Sequence, residues 1–210
     1  SSFLLYSGTT YTFVPHIKRI KHFQKYTKMK HNPYKVEGNV LGSENAEIVI
    51  DLYSDYVCPL CYIHNIMLHK AVKEFSNIKV VHHNYPFDKE CNLYITTNMH
   101  PNACIMAKAA LAAKKQNNYW GMSSLLYENR PTNKENIMKL ADELNFDKER
   151  FESDFDSAET YKELKKEIDS AYNKNIDSTP TMIINGKKKV GIMTYDELRD
   201  YLIQNGAKKR

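Results

Sequence analysis

The sequence predicts an α/β fold in which a β-α-β unit and a β-β-α unit are separated by a block of helices. Within residues 47–86, an apolar, β-branched run is followed by an amphipathic segment and a second apolar run, which is the order of a β-α-β unit. Residues from about 98 to 172 are rich in helix formers. Two short runs then flank Asn185-Gly186 before a last amphipathic segment, which is typical of a hairpin followed by a helix.

Length, charge and hydropathy narrow the class of protein. A chain of 210 residues allows one ordinary domain, or one domain with a sizeable insertion. The net charge of +5 comes from interspersed charges and forms no pattern typical of nucleic-acid binding. No run approaches the ~20 apolar residues of a membrane span, and the first residues lack the order of a signal peptide. We expect a mature or trimmed form, and an upstream anchor or targeting sequence stays open.

Residues 1–35 are expected to form an N-terminal extension with a short basic helix. Apolar residues recur at every third position after Pro15, and lysines occupy the other faces. Such a helix packs on the domain, or binds a membrane surface or a partner. The apolar positions are Ile17, Ile20, Phe23, Tyr26 and Met29.

The main domain is expected over residues 36–206. The turn-forming residues of "NPYKVEGNVLGSENA" predict a short edge strand at its start. A buried strand at 47–53, a helix at 59–75 and a strand at 78–86 follow. The apolar stripe expected on this helix consists of Leu60, Ile63, Met67, Ala71 and Phe75.

The helical insertion is expected at about 98–172. Its first helix begins with a proline in "PNACIMAKAALAAKKQ". In "TNKENIMKLADEL", Thr132 is the predicted N-cap, with Glu135 three residues later. The segments "DKERFESDF" and "AETYKELKKEIDSAYNKN" complete the insertion, and the final helix in "TYDELRDYLIQNG" is expected to end at Gly206.

The motif "SDYVCPLC" carries the chemistry, because it sets Cys58 and Cys61 three apart directly after a predicted buried strand. Pro59 suits the first helical position, which leaves Cys58 at the N-cap, facing unpaired backbone N–H groups. The positive end of the helix favours a thiolate over a thiol. Cys58 can therefore act as a nucleophile or a leaving group, and Cys61 lies close enough to form a disulfide with it.

A zinc site and a structural staple are the alternatives to a redox pair. Cys91 and Cys104 have twelve residues between them, which is not the second knuckle of a closed four-cysteine zinc site. A Cys58–Cys61 staple would close too short a loop to stabilise the fold much. A C-x-x-C motif beside a β-α-β unit indicates redox chemistry, so we predict no metal.

Three features together resemble a known family. They are "DLYSDYVCPLC", the helical insertion, and "STPTMIINGKKKVG" before a final helix. Over residues 36–206 the chain resembles the DsbA-like thioredoxin-fold thiol oxidoreductases of the bacterial cell envelope. The resemblance implies a thioredoxin fold with an inserted α-helical domain, preceded by the N-terminal extension. It also implies that Cys58 and Cys61 are catalytic and that Pro59 and Leu60 form the active-site turn.

The resemblance extends to the Thr-Pro pair and to the second pair of cysteines. It implies that Pro180 is in cis beside the active-site disulfide, so that Thr179 and Pro180 bind an extended substrate. Cys91 and Cys104 resemble a second pair in DsbA-like domains related to those found with, or fused to, vitamin K epoxide reductase-like membrane proteins. A structural disulfide and a secondary redox pair both stay open, and either favours an oxidising compartment.

Two positions depart from the family pattern. Strongly oxidising members carry histidine where this chain has Leu60, and many relatives carry glutamate where it has Leu52. Asp51 is one residue away, and strand alternation directs it to the opposite face. The histidines His64, His82 and His83 are expected to serve packing or to lie on the surface.

The sequence therefore predicts a dithiol-disulfide oxidoreductase that introduces disulfides into secreted or envelope proteins through the CPLC site. The resemblance implies recycling by a membrane quinone-linked oxidase of the DsbB or vitamin K epoxide reductase type, and a periplasmic or otherwise extracytoplasmic location in a bacterium. It implies no metal and no soluble organic cofactor, and no sequence motif supports binding of nucleic acid. The alternatives are a disulfide reductase or isomerase that uses the same site, and a peptide-binding chaperone with a non-essential dithiol.

Overall fold

The computed structural model describes residues 35–210, and the basic helix predicted within residues 1–35 lies outside them. The described residues form a six-stranded sheet in the order β1-β2-β4-β3-β5-β6. The strands are β1 Lys35–Glu37, β2 Val40–Gly42, β3 Ile48–Ser54, β4 Ile78–Asn84, β5 Thr181–Ile184 and β6 Lys187–Val190. The helices are α1 Pro59–Glu74, α2 Ala103–Lys114, α3 Tyr119–Asn129, α4 Lys134–Glu143, α5 Lys148–Asp156, α6 Ala158–Asn173 and α7 Tyr195–Gln204.

The predicted β-α-β unit consists of β3, α1 and β4. The two strands pair in parallel from Ile48 opposite Ile78 to Ser54 opposite Asn84. Ile50 on β3 is buried at the centre of the sheet, as expected for a strand with covered faces. Because the carboxyl ends of both strands meet at one edge, the turn that follows β3 and opens α1 lies at that edge.

The predicted apolar stripe of α1 is wrong in its first turn. Leu60 is 41% exposed, whereas its neighbour Cys61 is fully buried. Adjacent helical residues lie about 100° apart around the axis, so only one of the two can face the core. Further along the helix, Ala71 is buried as expected, as is Phe75 directly after it.

The edge of the sheet is a hairpin, where the sequence predicts a single short strand. β1 and β2 pair antiparallel, with Gly38 in the left-handed region at φ 55°. β2 then pairs antiparallel with β4. The left-handed glycine permits the tight turn that a residue with a side chain would strain.

Five helices, α2 to α6, lie between β4 and β5. The alanine-rich α2 is almost wholly buried and contacts each of the other four. The predicted N-cap of α4 is wrong by one residue, because Asn133 rather than Thr132 caps this helix. The side-chain oxygen of Asn133 accepts from the backbone N–H of Asn136 at 2.9 Å, and asparagine is as good a cap as any residue.

The C-terminal hairpin returns the chain to the centre of the sheet. β5 pairs antiparallel with β3, with Thr181 opposite Tyr53. Asn185 and Gly186 adopt left-handed φ values of 46° and 83°, as the hairpin prediction requires. The segment before Thr181 is thereby placed beside the turn after β3. Among residues 35–210, no helix has both the length and the apolar character needed to cross a membrane.

Candidate active site

The CPLC turn joins the end of β3 to α1. Cys58 is the N-cap residue and Pro59 occupies the first helical position, as the motif predicts. The backbone N–H of Cys58 donates to the carbonyl oxygen of Asp55 at 3.2 Å. The turn is therefore held from the strand side before the helix begins.

The Thr-Pro segment lies directly against this turn. The sulfur of Cys58 is 3.6 Å from the carbonyl oxygen of Thr179, across 121 residues of sequence. The Thr179–Pro180 peptide bond is cis. The hydroxyl of Thr181 donates to the carbonyl oxygen of Ser178 at 2.7 Å. The structure thus brings Cys58, Thr179 and Pro180 together at one edge of the sheet.

The two cysteines of the motif have opposite electrostatic environments. Both thiols are free. The pKa of Cys58 is lowered to about 6, and the largest cause is a hydrogen bond from Cys61. The backbone N–H groups of Cys61 and Leu60 lower this pKa further, whereas burial and the charge of Asp55 raise it. Burial, then Cys58 itself, raises the pKa of Cys61 well above its usual value. At neutral pH, the arrangement favours a Cys58 thiolate beside a Cys61 thiol.

The two cysteines also differ in their exposure to solvent. Cys58 retains 6% of its surface in contact with solvent, whereas Cys61 has none. The sulfur of Cys61 accepts from the backbone N–H of Asp55 at 3.5 Å. A reaction partner from solution therefore reaches Cys58 first.

Asp55 is a site residue that the sequence reasoning missed. Its carboxylate is buried and accepts from the backbone N–H groups of Val57 at 2.8 Å and Phe87 at 2.7 Å. It also pairs with His100 at 2.8 Å. Asp55 stands inside the quoted motif, three residues before Cys58, so its position was a usable signal. No sequence pattern singles out His100.

A chain of buried polar groups lies behind Cys61. Ser54 Oγ is 2.5 Å from the hydroxyl of Tyr127, which lies 3.4 Å from Nε2 of His82. Nδ1 of His82 is 2.7 Å from the hydroxyl of Tyr119. Burial lowers the pKa of His82 to about 3, so its ring is neutral and serves as a hydrogen-bonding partner in the core.

The other two histidines weighed from the sequence also make local contacts. His64 is buried, and its Nε2 accepts from the backbone N–H of Met193 at 3.2 Å. His83 pairs with Asp51 at 2.8 Å, on neighbouring strands. Asp51 is half-buried on the face of β3 opposite to the fully buried Leu52.

Cys91 and Cys104 form a disulfide with each other. Both residues are buried, and the bond ties the loop after β4 to the first turn of α2. The backbone N–H of Cys104 donates to the carboxylate of Asp88 at 3.2 Å, which holds the same loop. Among residues 35–210, no group of three or more histidine, cysteine or acidic side chains is placed to hold a metal ion.

Residues 49–203 match the family model described as a DSBA-like thioredoxin domain. This range contains the CPLC turn, the five-helix block, the Thr-Pro segment and most of α7. The match therefore covers both active-site cysteines and the residues that contact them.

Curated relatives match part of their own length only. The chain is 27% identical, over 164 residues, to Na(+)/H(+) antiporter NhaA 1 of Salinispora arenicola; the match covers 76% of this chain and 23% of the antiporter. It is 24% identical over 161 residues to Na(+)/H(+) antiporter NhaA of Herminiimonas arsenicoxydans, covering 75% of this chain and 24% of that protein. The chain thus spans about a quarter of the length of these relatives.

Solved structures with the same fold are more distant in sequence. The thiol-disulfide exchange protein alpha-DsbA2 from Wolbachia pipientis superposes with a TM-score of 0.64 at 17% identity, covering 90% of this chain and 95% of that one. Oxidised BdbD from Bacillus subtilis gives a TM-score of 0.66 at 21% identity, covering 80% and 91%. These likenesses establish the thioredoxin fold with its helical insertion.

Proposed function

The chain belongs to the family of DSBA-like thioredoxin domains, and on that premise we propose that it introduces disulfide bonds into secreted or envelope proteins through Cys58 and Cys61. Membership makes it a thiol:disulfide oxidoreductase. We propose the direction of exchange, the residues that carry it out and the class of client protein.

The observation that carries the proposal is the asymmetry between the two sulfurs. Cys58 combines a pKa lowered to about 6 with contact to solvent. Cys61 combines full burial with a raised pKa. A low thiol pKa makes a good leaving group and stabilises the reduced form, which is the property of an oxidant.

The reaction begins from the Cys58–Cys61 disulfide. A client thiolate attacks the sulfur of Cys58, the Cys58–Cys61 bond breaks, and Cys61 leaves with the electron pair and takes up a proton. A second client thiolate then attacks the client sulfur of the mixed disulfide, and Cys58 leaves as a thiolate. The client has lost two electrons and gained a disulfide, and the protein has gained two electrons as a dithiol.

The Thr-Pro segment supplies the binding surface in this proposal. The carbonyl oxygen of Thr179 is 3.6 Å from the sulfur of Cys58. A client segment that reacts at this sulfur must therefore pass beside Thr179 and Pro180. Proline donates no hydrogen bond, so backbone groups next to it can pair with an extended client as an added strand would.

We place the protein outside the cytoplasm of a bacterium, with a membrane quinone-linked oxidase of the DsbB or vitamin K epoxide reductase type as its recycling partner. The Cys91–Cys104 disulfide supports an oxidising compartment, because such bonds are rare where thiols are kept reduced.

Single cysteine variants test the assignment of roles. Cys58→Ser should abolish oxidation of a reduced, unfolded test protein, because the exchanging sulfur is gone. Cys61→Ser cannot form the Cys58–Cys61 disulfide, so it is mixed instead with the disulfide-bonded form of the test protein. The Cys58 thiolate should attack a client disulfide and one client sulfur should leave as a thiolate, and the mixed disulfide should accumulate because no Cys61 thiol releases it. The double variant is the control and should trap nothing. Peptide mass spectrometry that located the trapped client on Cys61 in Cys58→Ser would reverse the roles and refute the proposal.

A further inference from the structure

Asp55 carries a buried carboxylate and contacts both active-site cysteines through its backbone. Its side chain is 0% exposed. The carboxylate accepts hydrogen bonds from the backbone N–H groups of Val57 and Phe87. Its backbone carbonyl accepts from the N–H of Cys58, and its backbone N–H donates to the sulfur of Cys61. The backbone of Asp55 thus contacts both cysteines, and the charge of its carboxylate acts on Cys58.

A negative Asp55 works against the chemistry proposed for Cys58. Two negative groups close together in a partly buried site repel each other, and the Asp55 carboxylate raises the pKa of Cys58. A buried carboxylate without a cationic partner is also costly to the fold. The site needs a positive group near Asp55, and Leu60 between the two cysteines cannot supply one.

His100 provides that group from a distant part of the chain. Its Nδ1 lies 2.8 Å from the carboxylate of Asp55, across 45 residues of sequence. Its side chain is 20% exposed, so it can exchange protons with solvent. Its backbone N–H donates to the carbonyl oxygen of Phe87 at 3.0 Å, and its carbonyl accepts from the N–H of Ala103 at 3.1 Å, one residue before the disulfide-bonded Cys104.

Charged neighbours determine how readily His100 carries its proton. The hydrogen bond to Asp55 is the largest influence that raises the pKa of His100; burial opposes it, the charges of Asp55 and Cys58 reinforce it, and Arg130 lowers it. Electrostatic interaction is reciprocal, so a His100 cation that is favoured by the Cys58 thiolate also favours that thiolate. When His100 is protonated, the pair with Asp55 is neutral overall.

We propose that His100 is a positioning residue that neutralises the buried Asp55 carboxylate and thereby supports the Cys58 thiolate, in place of the polar side chain that Leu60 does not offer. The inference rests on the proposed function, because the thiolate it supports is the group that exchanges. His100 contacts Asp55, and its effect on exchange passes through that residue.

The chain offers a matched control for this pair. His83 and Asp51 are likewise 2.8 Å apart, and their side-chain exposures are 22% and 31%. Asp51 makes no contact with the CPLC turn among the hydrogen bonds of residues 35–210. His83→Asn therefore removes a histidine with an aspartate partner without changing the charge beside Cys58.

The test compares the glutathione equilibrium and the Cys58 pKa of three variants with the wild type. His100→Asn should raise the Cys58 pKa and shift the equilibrium constant about tenfold toward the disulfide form, a potential about 30 mV more negative. Adding Asp55→Asn to His100→Asn should reverse both changes, because the unpaired negative charge is removed. His83→Asn should change neither. A folded His100→Asn protein with wild-type values would overturn the inference.

A measurement on the wild type covers the case in which His100→Asn does not fold. NMR titration of the His100 ring should give a higher pKa in the reduced protein, where Cys58 is a thiolate, than in the oxidised protein. Equal values in both states would overturn the inference while leaving the proposed function intact. A wild-type CPLC pair that never equilibrates with glutathione would instead overturn the proposed function, and the inference with it.

Discussion

Leu60→His changes the residue between the two active-site cysteines and tests what sets the redox poise. Leu60 offers neither a hydrogen bond nor a charge to Cys58, and the Cys58 pKa of about 6 lies above the extreme ~3.5 of DsbA. We therefore expect a wild-type potential more negative than the ~−120 mV of DsbA. A histidine at this position should lower the Cys58 pKa and raise the potential, because both changes follow from a more stable thiolate.

The magnitude follows from the exposure of the position. Leu60 is 41% exposed, so solvent screens the new interaction and about 1 kcal/mol is a reasonable gain for the thiolate form. That energy corresponds to a fall of about 0.7 in the Cys58 pKa and a rise of about 20 mV in the potential. Thiolate absorbance against pH and equilibration with glutathione measure the two quantities.

Ile66→His is the matched control for this change. Ile66 is on the same helix and is also 41% exposed, but it lies about 9 Å further along the axis. It should leave the Cys58 pKa and the potential at their wild-type values. If Leu60→His also left both unchanged, the intervening residue would not set the redox poise, and the segment at Thr179 and Pro180 would be the next candidate.

Three further predictions follow from the cysteines. Alkylation of Cys58 in the reduced protein should reach half its maximal rate near pH 6, because the pKa of Cys58 is about 6. Cys61 should stay unreactive at neutral pH. A midpoint for Cys58 at the ordinary thiol pKa of 9.0 would contradict the structure. The pKa of Cys58 is lower in the folded than in the unfolded protein, so the thiolate stabilises the reduced fold, and this stabilisation is complete above the ordinary pKa of 9.0. Relative to Cys58→Ser, the stabilisation should be lost as the pH falls through about 6. Urea unfolding of both proteins across this pH range measures it. Replacing Cys91 and Cys104 by alanine should lower the free energy of unfolding by ~2–4 kcal/mol and spare turnover; stoichiometric zinc bound by the reduced wild-type protein would contradict a structural role for this pair.

The order of elements could be predicted because each has a local cause. Alternating and continuous apolar runs define β3 and β4, and Asn185-Gly186 fixes the hairpin between β5 and β6. The position of Cys58 at the N-cap of α1 follows from a proline at the next position. Within the described residues, these strands, the hairpin and the helix start could be predicted from local sequence alone.

What could not be predicted depends on contacts between distant residues. The burial of Cys61 instead of Leu60 depends on the rotation of α1 against the sheet, which a short periodic pattern does not fix. The pairing of Asp55 with His100 depends on the path of the loop after β4. A lone histidine in "NMHPNAC" carries no local signal of that contact.

Transfer of one disulfide in a single turnover tests the central claim most directly. Protein oxidised at Cys58–Cys61 is mixed with a reduced, unfolded client without oxygen or any other oxidant, then quenched with acid, alkylated and analysed by mass spectrometry. The account predicts that each client disulfide formed is matched by one protein molecule with Cys58 and Cys61 reduced, while Cys91 and Cys104 stay bonded. A client that remains reduced beside an intact Cys58–Cys61 disulfide would contradict it.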